Sequence, residues 1–215
     1  MGYKTLVPNN HVELSLTTRG YSCIAGIDEV GRGTLAGPVL AAAVILPLNL
    51  ENSLRSEIRD SKLLSSNQRE KLGPIIQEVA SGWSIGTASA KVIDNVGIVP
   101  ATHLAMLAAL TSLPHIPDFL LVDGLNNGDF PVPNRSIVHG DKLCLSIAAA
   151  SIVAKITRDR MMHDLDREHP GYDFAKHKGY ATKSHLGHLR ELGPSSIHRM
   201  SFKPVRDVLM ERMFT

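Results

Sequence analysis

At 215 residues, with 43% hydrophobic and 20% charged side chains, the chain can bury a full core and lacks the charge excess of a disordered segment. Its longest apolar run, residues 39–46, is far too short to span a bilayer. The N-terminus, Met1-Gly2-Tyr3-Lys4-Thr5, has no charged-then-apolar export pattern, and Cys23 and Cys144 form neither a metal spacing nor a disulfide framework. A cytoplasmic protein is expected, with both cysteines as small buried hydrophobes.

The first 20 residues show no clear periodicity and read as a partly ordered lead-in, broken at Pro8-Asn9-Asn10, ahead of a single domain over residues 21–215. Residues 21–27 and 39–46 are strand-like, and Pro47 ends the second run. Ser65-x-x-Gln68 has the spacing of a capping box and opens a helix towards Val79, which Pro74 is expected to kink or interrupt. Residues 83–90 alternate as a third strand. Residues 94–113 read as a helix with an apolar stripe of Ile98, Leu104, Leu107, Ala108 and Leu110 and with Pro100 in its first turn. Short strands follow at 119–122 and 136–138, then a long helix over 143–160 whose Ala148-Ala149-Ala150 run suits close packing on a sheet. Three leading strands followed by alternating strands and helices make an α/β domain, with extra C-terminal helices across one edge.

The net charge of +2 hides an asymmetry. Residues 174–206 carry seven Lys or Arg, four His and one acid, Glu191, which leaves the rest of the chain net acidic. An acidic centre with a basic arm suits a metal-dependent nuclease, the acids holding cations and the arm attracting phosphate. A solvated basic face without a partner would carry the same charge.

The most informative stretch is Gly26-Ile27-Asp28-Glu29-Val30-Gly31-Arg32-Gly33-Thr34-Leu35-Ala36-Gly37-Pro38. Adjacent carboxylates between two apolar runs cost stability, and a bound divalent cation is the commonest compensation. The Gly-Arg-Gly turn lets a ligand approach the backbone, and the arginine suits phosphate. A dinucleotide fingerprint fits poorly: the glycine spacing is out of register, the acids would repel a pyrophosphate, and a β-prone run replaces the required helix. Asp28, Glu29, Asp123 and Asp141 share one kind of position, just past an apolar strand or at a strand-to-helix junction, where an α/β sheet gathers its ligands. Carboxylates without Cys or paired His favour Mg²⁺ or Mn²⁺ over zinc. Spacing alone leaves each acid open, and Asp123-Gly124 could simply start a turn.

The motif resembles the signature of type 2 ribonucleases H, and its Gly-Arg-Gly turn and short lead-in favour the ribonuclease HII branch over HIII. Further motifs match that family: Asp123-Gly124, Asp141 ahead of Ser146-Ile147-Ala148-Ala149-Ala150-Ser151-Ile152-Val153-Ala154-Lys155, Asp60-Ser61-Lys62, Lys178-Gly179-Tyr180-Ala181-Thr182-Lys183-Ser184-His185, and His198-Arg199-x-Ser201-Phe202. Thr34 departs from the pattern. The resemblance implies a ribonuclease H-like mixed sheet flanked by helices, with Asp28, Glu29, Asp123 and Asp141 as catalytic acids holding two divalent cations. It implies substrate contacts at Gly31, Arg32, Gly33, Lys62, Tyr180, Thr182 and Lys183, with Tyr180 stacking on the sugar beside the ribonucleotide. Asp159 also matches, although an ion pair with Lys155 one turn earlier explains it more simply. The expected enzyme cuts the RNA strand of RNA–DNA hybrids and incises 5′ to single ribonucleotides in duplex DNA. It would act as a monomer, without membrane or organic cofactor. A junction-resolving nuclease of similar fold and a non-catalytic hybrid-binding module are the alternatives.

Overall fold

The computed structural model describes residues 7–124 and 128–213. In chain order its elements are α1 (His11–Thr17), β1 (Ile24–Val30), β2 (Val39–Ile45), α2 (Asn52–Glu57), α3 (Ser66–Val79), β3 (Gly82–Ala88), α4 (Ala90–Val96) and α5 (Ile98–Thr111). There follow β4 (Phe119–Asp123), β5 (Asn134–Ile137), α6 (Gly140–Leu143), α7 (Leu145–Glu168), α8 (Phe174–His177), α9 (Lys183–Leu192) and α10 (Lys203–Met213).

The strands form one mixed sheet in the order β3-β2-β1-β4-β5. The leading three pair antiparallel, while β4 runs parallel to β1 and β5 parallel to β4. Alternation along β2 divides the core into two layers. Val39, Ala41, Ala43 and Ile45 face α5, while Leu40, Ala42 and Val44 face α7 and α3. On β1 the same parity sends Ala25 and Ile27 towards α5 and leaves Gly26 and Asp28 on the side of α7. Asp28 therefore enters the site because it is two residues along from a position where α7 touches the sheet.

Several expectations need correction. Residues 94–113 form two helices, because Gly97 ends α4 and opens α5. The buried face of α5 is Ala101, Thr102, Ala105, Met106, Ala109 and Leu110, and Leu104 is exposed. The reason is close approach: a Cβ on Gly86 of β3 would lie 2.1 Å from the Ala105 carbonyl oxygen, so only small residues fit there. α3 has its capping box between Ser65 and Gln68 but runs through Pro74 without interruption, packed on α7 through Leu72, Gly73 and Ile76. Cys144 is buried, with its thiol pushed up to about 12, chiefly by burial, whereas Cys23 is only half-buried.

The lead-in also carries structure. α1 buries Leu16 against Ile24, Phe119 and Ile147, and it delivers the buried Glu13 to the start of α7. α7 has no side-chain cap of its own, and Glu13 Oε1 accepts from Ser146 N at 3.0 Å and Ser146 Oγ at 2.7 Å. Asn9 bridges the α6–α7 joint through Leu143 O at 3.2 Å and Leu145 N at 3.0 Å. Glu13→Ala is expected to cost about 1–2 kcal/mol, read as a lower urea midpoint, while Glu13→Gln keeps the acceptor and most of the stability. Equal midpoints for Glu13→Ala and the native chain would exclude the capping role.

Candidate active site

Asp28 and Glu29 are strand residues of β1, not residues beyond its end as their sequence context suggested. Ile27 pairs with Val122 across the parallel β1–β4 ladder, so Asp28 and Asp123 are neighbours at the same end of the sheet. Asp123 closes β4, and its Oδ1 accepts from Gly140 N at 2.6 Å and Asp141 N at 3.4 Å. Those amides open α6, so one carboxylate fixes the turn that carries the next, and Asp141 is buried there. The structure thus gathers all four acids at one end of the central strands.

Their electrostatics are those of a site short of positive charge. Burial first, then the charges of Glu29 and Asp123, push the Asp28 carboxyl well above the usual range, against hydrogen bonds from Ser151 and the Glu29 N–H. Burial also raises Glu29, opposed mainly by Arg32. Asp123 is raised by burial and by Asp141, against the two amides. Two basic side chains supply part of the missing charge: Lys62 Nζ lies 3.3 Å from Asp141 Oδ2, and Arg32 Nη1 lies 3.1 Å from Glu29 Oε1. Burial pulls Lys62 down, but Asp141, Asp60 and Asp28 together hold it above its ordinary value.

A pocket of about 90 Å³ opens over Asp28, Glu29, Ser61, Lys62, Arg69, Ser151, Lys155 and Tyr180. It brings together acids from β1, the Asp60-Ser61-Lys62 segment, the middle of α7 and the loop after α8. Ser61 Oγ and Ser151 Oγ are 2.8 Å apart, joining the loop to the helix beneath Asp28. Ser151 and Ser61 were inside recognised motifs but unassigned, since a serine in a small-residue helix carries no signal of its own. Tyr180 is partly exposed, and Lys155 Nζ sits 5.9 Å from its ring centroid. Lys155 also pairs with Asp159 at 2.7 Å, the local ion pair anticipated for that acid.

The other expected substrate contacts lie around this pocket. Gly31 has φ +87°, and a Cβ there would meet Arg158 Nε at 2.3 Å, so the first turn position requires glycine. Gly33 faces open space. Thr182 acts locally as the cap of α9, its Oγ1 accepting from His185 N at 3.2 Å, and Lys183 is exposed beside it. The basic arm is only partly a surface feature, because Arg199 is completely buried.

Beneath the Tyr180 loop lies a histidine relay. Ser195 N donates to His198 Nδ1 at 2.9 Å, the Nε2 atoms of His198 and His185 are 3.0 Å apart, and His185 Nδ1 meets Tyr180 O at 2.9 Å. Only neutral rings satisfy this chain: His198 Nε2–H donates to His185 Nε2, and His185 Nδ1–H donates to the carbonyl. Burial lowers His185 to about 4 and His198 to about 3, aided by the other histidines. Their folded-state values lie below the unfolded one, so the stability they contribute is full above pH ~6.5 and is lost as pH falls towards ~4. Nitrogen-15 imidazole spectra are expected to show both rings neutral at pH 5. Protonation of either above pH 6 would contradict the relay.

An acid cluster at the end of a five-stranded mixed sheet, with strand order β3-β2-β1-β4-β5 and helices on both faces, defines a ribonuclease H-like nuclease. The family model described as ribonuclease HII matches residues 25–205. Ribonuclease HII of Dehalococcoides mccartyi (strain BAV1) is 48% identical over 204 residues, covering 95% of this chain and 96% of that protein. The ribonuclease H2 structure from Pyrococcus horikoshii OT3 superposes with a TM-score of 0.76 at 22% identity, covering 90% of this chain and 100% of that one. Bst ribonuclease HIII in complex with Mn²⁺ does so at 0.66 and 16%, covering 90% of this chain and 71% of that one. The chain belongs to the ribonuclease HII family. It is a type 2 ribonuclease H, an endoribonuclease of RNA–DNA hybrids. No helix of the described residues is long and apolar enough to cross a membrane.

Proposed function

We propose that the chain hydrolyses the RNA strand of hybrids and incises 5′ to single ribonucleotides embedded in duplex DNA, leaving 3′-hydroxyl and 5′-phosphate ends. The observation that carries this reading is the mutually repelling carboxylate set of the buried Asp28 and the half-buried Glu29 and Asp123 beside the buried Asp141, with Asp28 and Glu29 lining the pocket that holds Tyr180. An all-oxygen donor set fits Mg²⁺ or Mn²⁺ in kind. Among the described residues no three His, Cys, Asp or Glu groups stand as a ready-made chelate, and strand alternation turns Asp28 and Glu29 to opposite faces. In this reading Asp28, Glu29, Asp123 and Asp141 would hold the cations together with the substrate phosphate. Two bound cations supply activation of the attacking water and neutralisation of charge on the leaving 3′-oxygen.

The side chains themselves bind and select. Arg32 and Lys62, paired here with Glu29 and Asp141, would be free to contact phosphate once those carboxylates hold cations. The 2′-hydroxyl distinguishes RNA from DNA, and amides of the Gly31-Arg32-Gly33 turn can reach it. Tyr180 offers a flat face against the neighbouring sugar, while Lys183 lies in reach of the backbone beyond and Thr182 fixes the loop. The protein is read as a monomer, its one domain over residues 21–215 extended by the packed α1, acting in the cytoplasm without an organic cofactor.

A DNA duplex carrying one ribonucleotide, supplied with Mg²⁺ or Mn²⁺, tests the reading. The native chain is expected to cut 5′ to the ribonucleotide, and Asp123→Asn to cut about a thousandfold more slowly. An all-DNA junction should remain intact. If folded native protein cuts nothing with either ion, the chain is a hybrid-binding module instead.

A further inference from the structure

Arg158 of α7 and Arg199, which precedes α10, are completely buried, and neither takes part in an ion pair among the described residues. Burying a guanidinium without a carboxylate is costly unless its N–H groups are fully used. Both spend them on one short segment. Arg199 donates through Nε to Gly37 O at 3.1 Å, through Nη1 to Arg32 O at 2.8 Å, and through Nη2 to Gly31 O at 2.6 Å and Gly37 O at 3.0 Å. Arg158 donates through Nε to Pro38 O at 3.1 Å and through Nη2 to Ala36 O at 3.2 Å and Thr34 Oγ1 at 2.9 Å.

The remaining arm of Arg158 reaches elsewhere. Its Nη1 donates to Lys178 O at 3.0 Å, where Lys178 holds a left-handed φ of +53° two residues before Tyr180. Leu35 N donates to Gly179 O at 2.8 Å, tying the same two segments a second time. The buried Thr34 hydroxyl lies 3.1 Å from both Gly31 O and Ala36 O, so it links Arg158 to the first residue of the turn. With its carbonyls drawn inward, the turn leaves its amides outward: among the described residues neither Arg32 N–H nor Gly33 N–H has a protein acceptor.

We propose that Arg158, Thr34 and Arg199 are positioning residues that lock the Gly31–Gly33 turn and the Lys178–Tyr180 loop into one ribonucleotide-reading unit. The proposal rests on the reading of that turn and of Tyr180 as substrate contacts. Two guanidiniums beneath the turn also place fixed positive charge behind amides that must face a polyanion. Thr34 gives the cleanest handle, because valine matches its shape and removes only the hydroxyl that joins Arg158 to Gly31 and Ala36.

The test compares native protein, Thr34→Val and Thr34→Ser, without divalent cation so that nothing is cut. Fluorescence anisotropy gives Kd for a duplex with one ribonucleotide and for its all-DNA counterpart. Thr34→Val is expected to lose about tenfold in the ratio of the two values, with the all-DNA Kd unchanged and a fall of a few degrees in melting temperature, because a buried guanidinium N–H loses one acceptor. Thr34→Ser should restore the ratio. A purely structural threonine would lower the melting temperature and leave the ratio alone, and a native ratio in folded Thr34→Val overturns the clamp. If native protein does not discriminate at all, the substrate reading fails. Amide hydrogen exchange over residues 31–37 then decides the clamp alone: faster exchange in Thr34→Val upholds it, and unchanged exchange overturns it.

Discussion

Asp28→Asn is expected to cut about a thousandfold more slowly than the native chain and, at the same time, to melt several degrees higher at pH 7. Both follow from one carboxylate. Asp28 is 5% exposed, and burial, then Glu29 and Asp123, hold its pKa well above the usual carboxylate value. The folded chain therefore binds this proton more tightly than the unfolded chain does. The stability associated with the protonated form is complete below the unfolded value of about 4 and is lost as pH rises through the folded value. At pH 7 the Asp28 carboxyl, ionised in the unfolded chain, costs stability on folding that asparagine does not, on the order of 1–3 kcal/mol. In a chain of this length each kcal/mol moves the melting temperature by about 2–4 °C. The gain should shrink when both proteins are melted near pH 4, where the native carboxyl is protonated. Mg²⁺ should stabilise the native chain more than the variant. Equal or lower melting of Asp28→Asn at pH 7 would mean that the buried charge is compensated within the protein itself.

That trade explains which parts of the molecule the sequence discloses. Asp28 and Glu29 stand out because they are locally wrong for a strand, and a residue that breaks a local rule points to function. Asp123 and Asp141 need their partners in space: only the β1–β4 ladder and the Asp123–Gly140 hydrogen bond make them neighbours. The capping box of α3 is legible because both of its residues lie in one turn. Glu13 is not, because it caps a helix 133 residues away, and α1 therefore looked like part of a featureless lead-in. The stripe assigned to α5 held only at Leu110 and Ile98, for the same reason. The face that packs is chosen by Gly86 on another element, which admits alanines and turns Leu104 outward. Charge counting places Arg199 in a basic arm for binding phosphate, yet its guanidinium is spent inside the protein on the turn that Asp28 precedes. Composition reports charges, whereas only packing reports where they go.

Gly26→Ala should be the most damaging small substitution near the site. A Cβ on Gly26 would lie 2.2 Å from the Ser146 carbonyl carbon and 2.4 Å from Ile147 N, both backbone atoms of the first turn of α7. No rotamer can relieve that contact, so the helix must move off the sheet. α7 is held there by Glu13 at Ser146 and by its alanine run against Leu40, Ala42 and Val44, and none of these contacts stretches without loss. The expected cost is about 3 kcal/mol or more, a fall in melting temperature of roughly ten degrees. Activity should fall further than the folded fraction does, because the displaced helix carries Ser151 and Lys155 and adjoins the short helix that aims Asp141. Cleavage per folded molecule, measured well below the melting point, separates the two effects. Gly33→Ala is the matched control for stability, since its added methyl meets nothing within 4 Å. If Gly26→Ala melts with Gly33→Ala, α7 does not press on β1 as described, and the site's geometry must be held by something other than that contact.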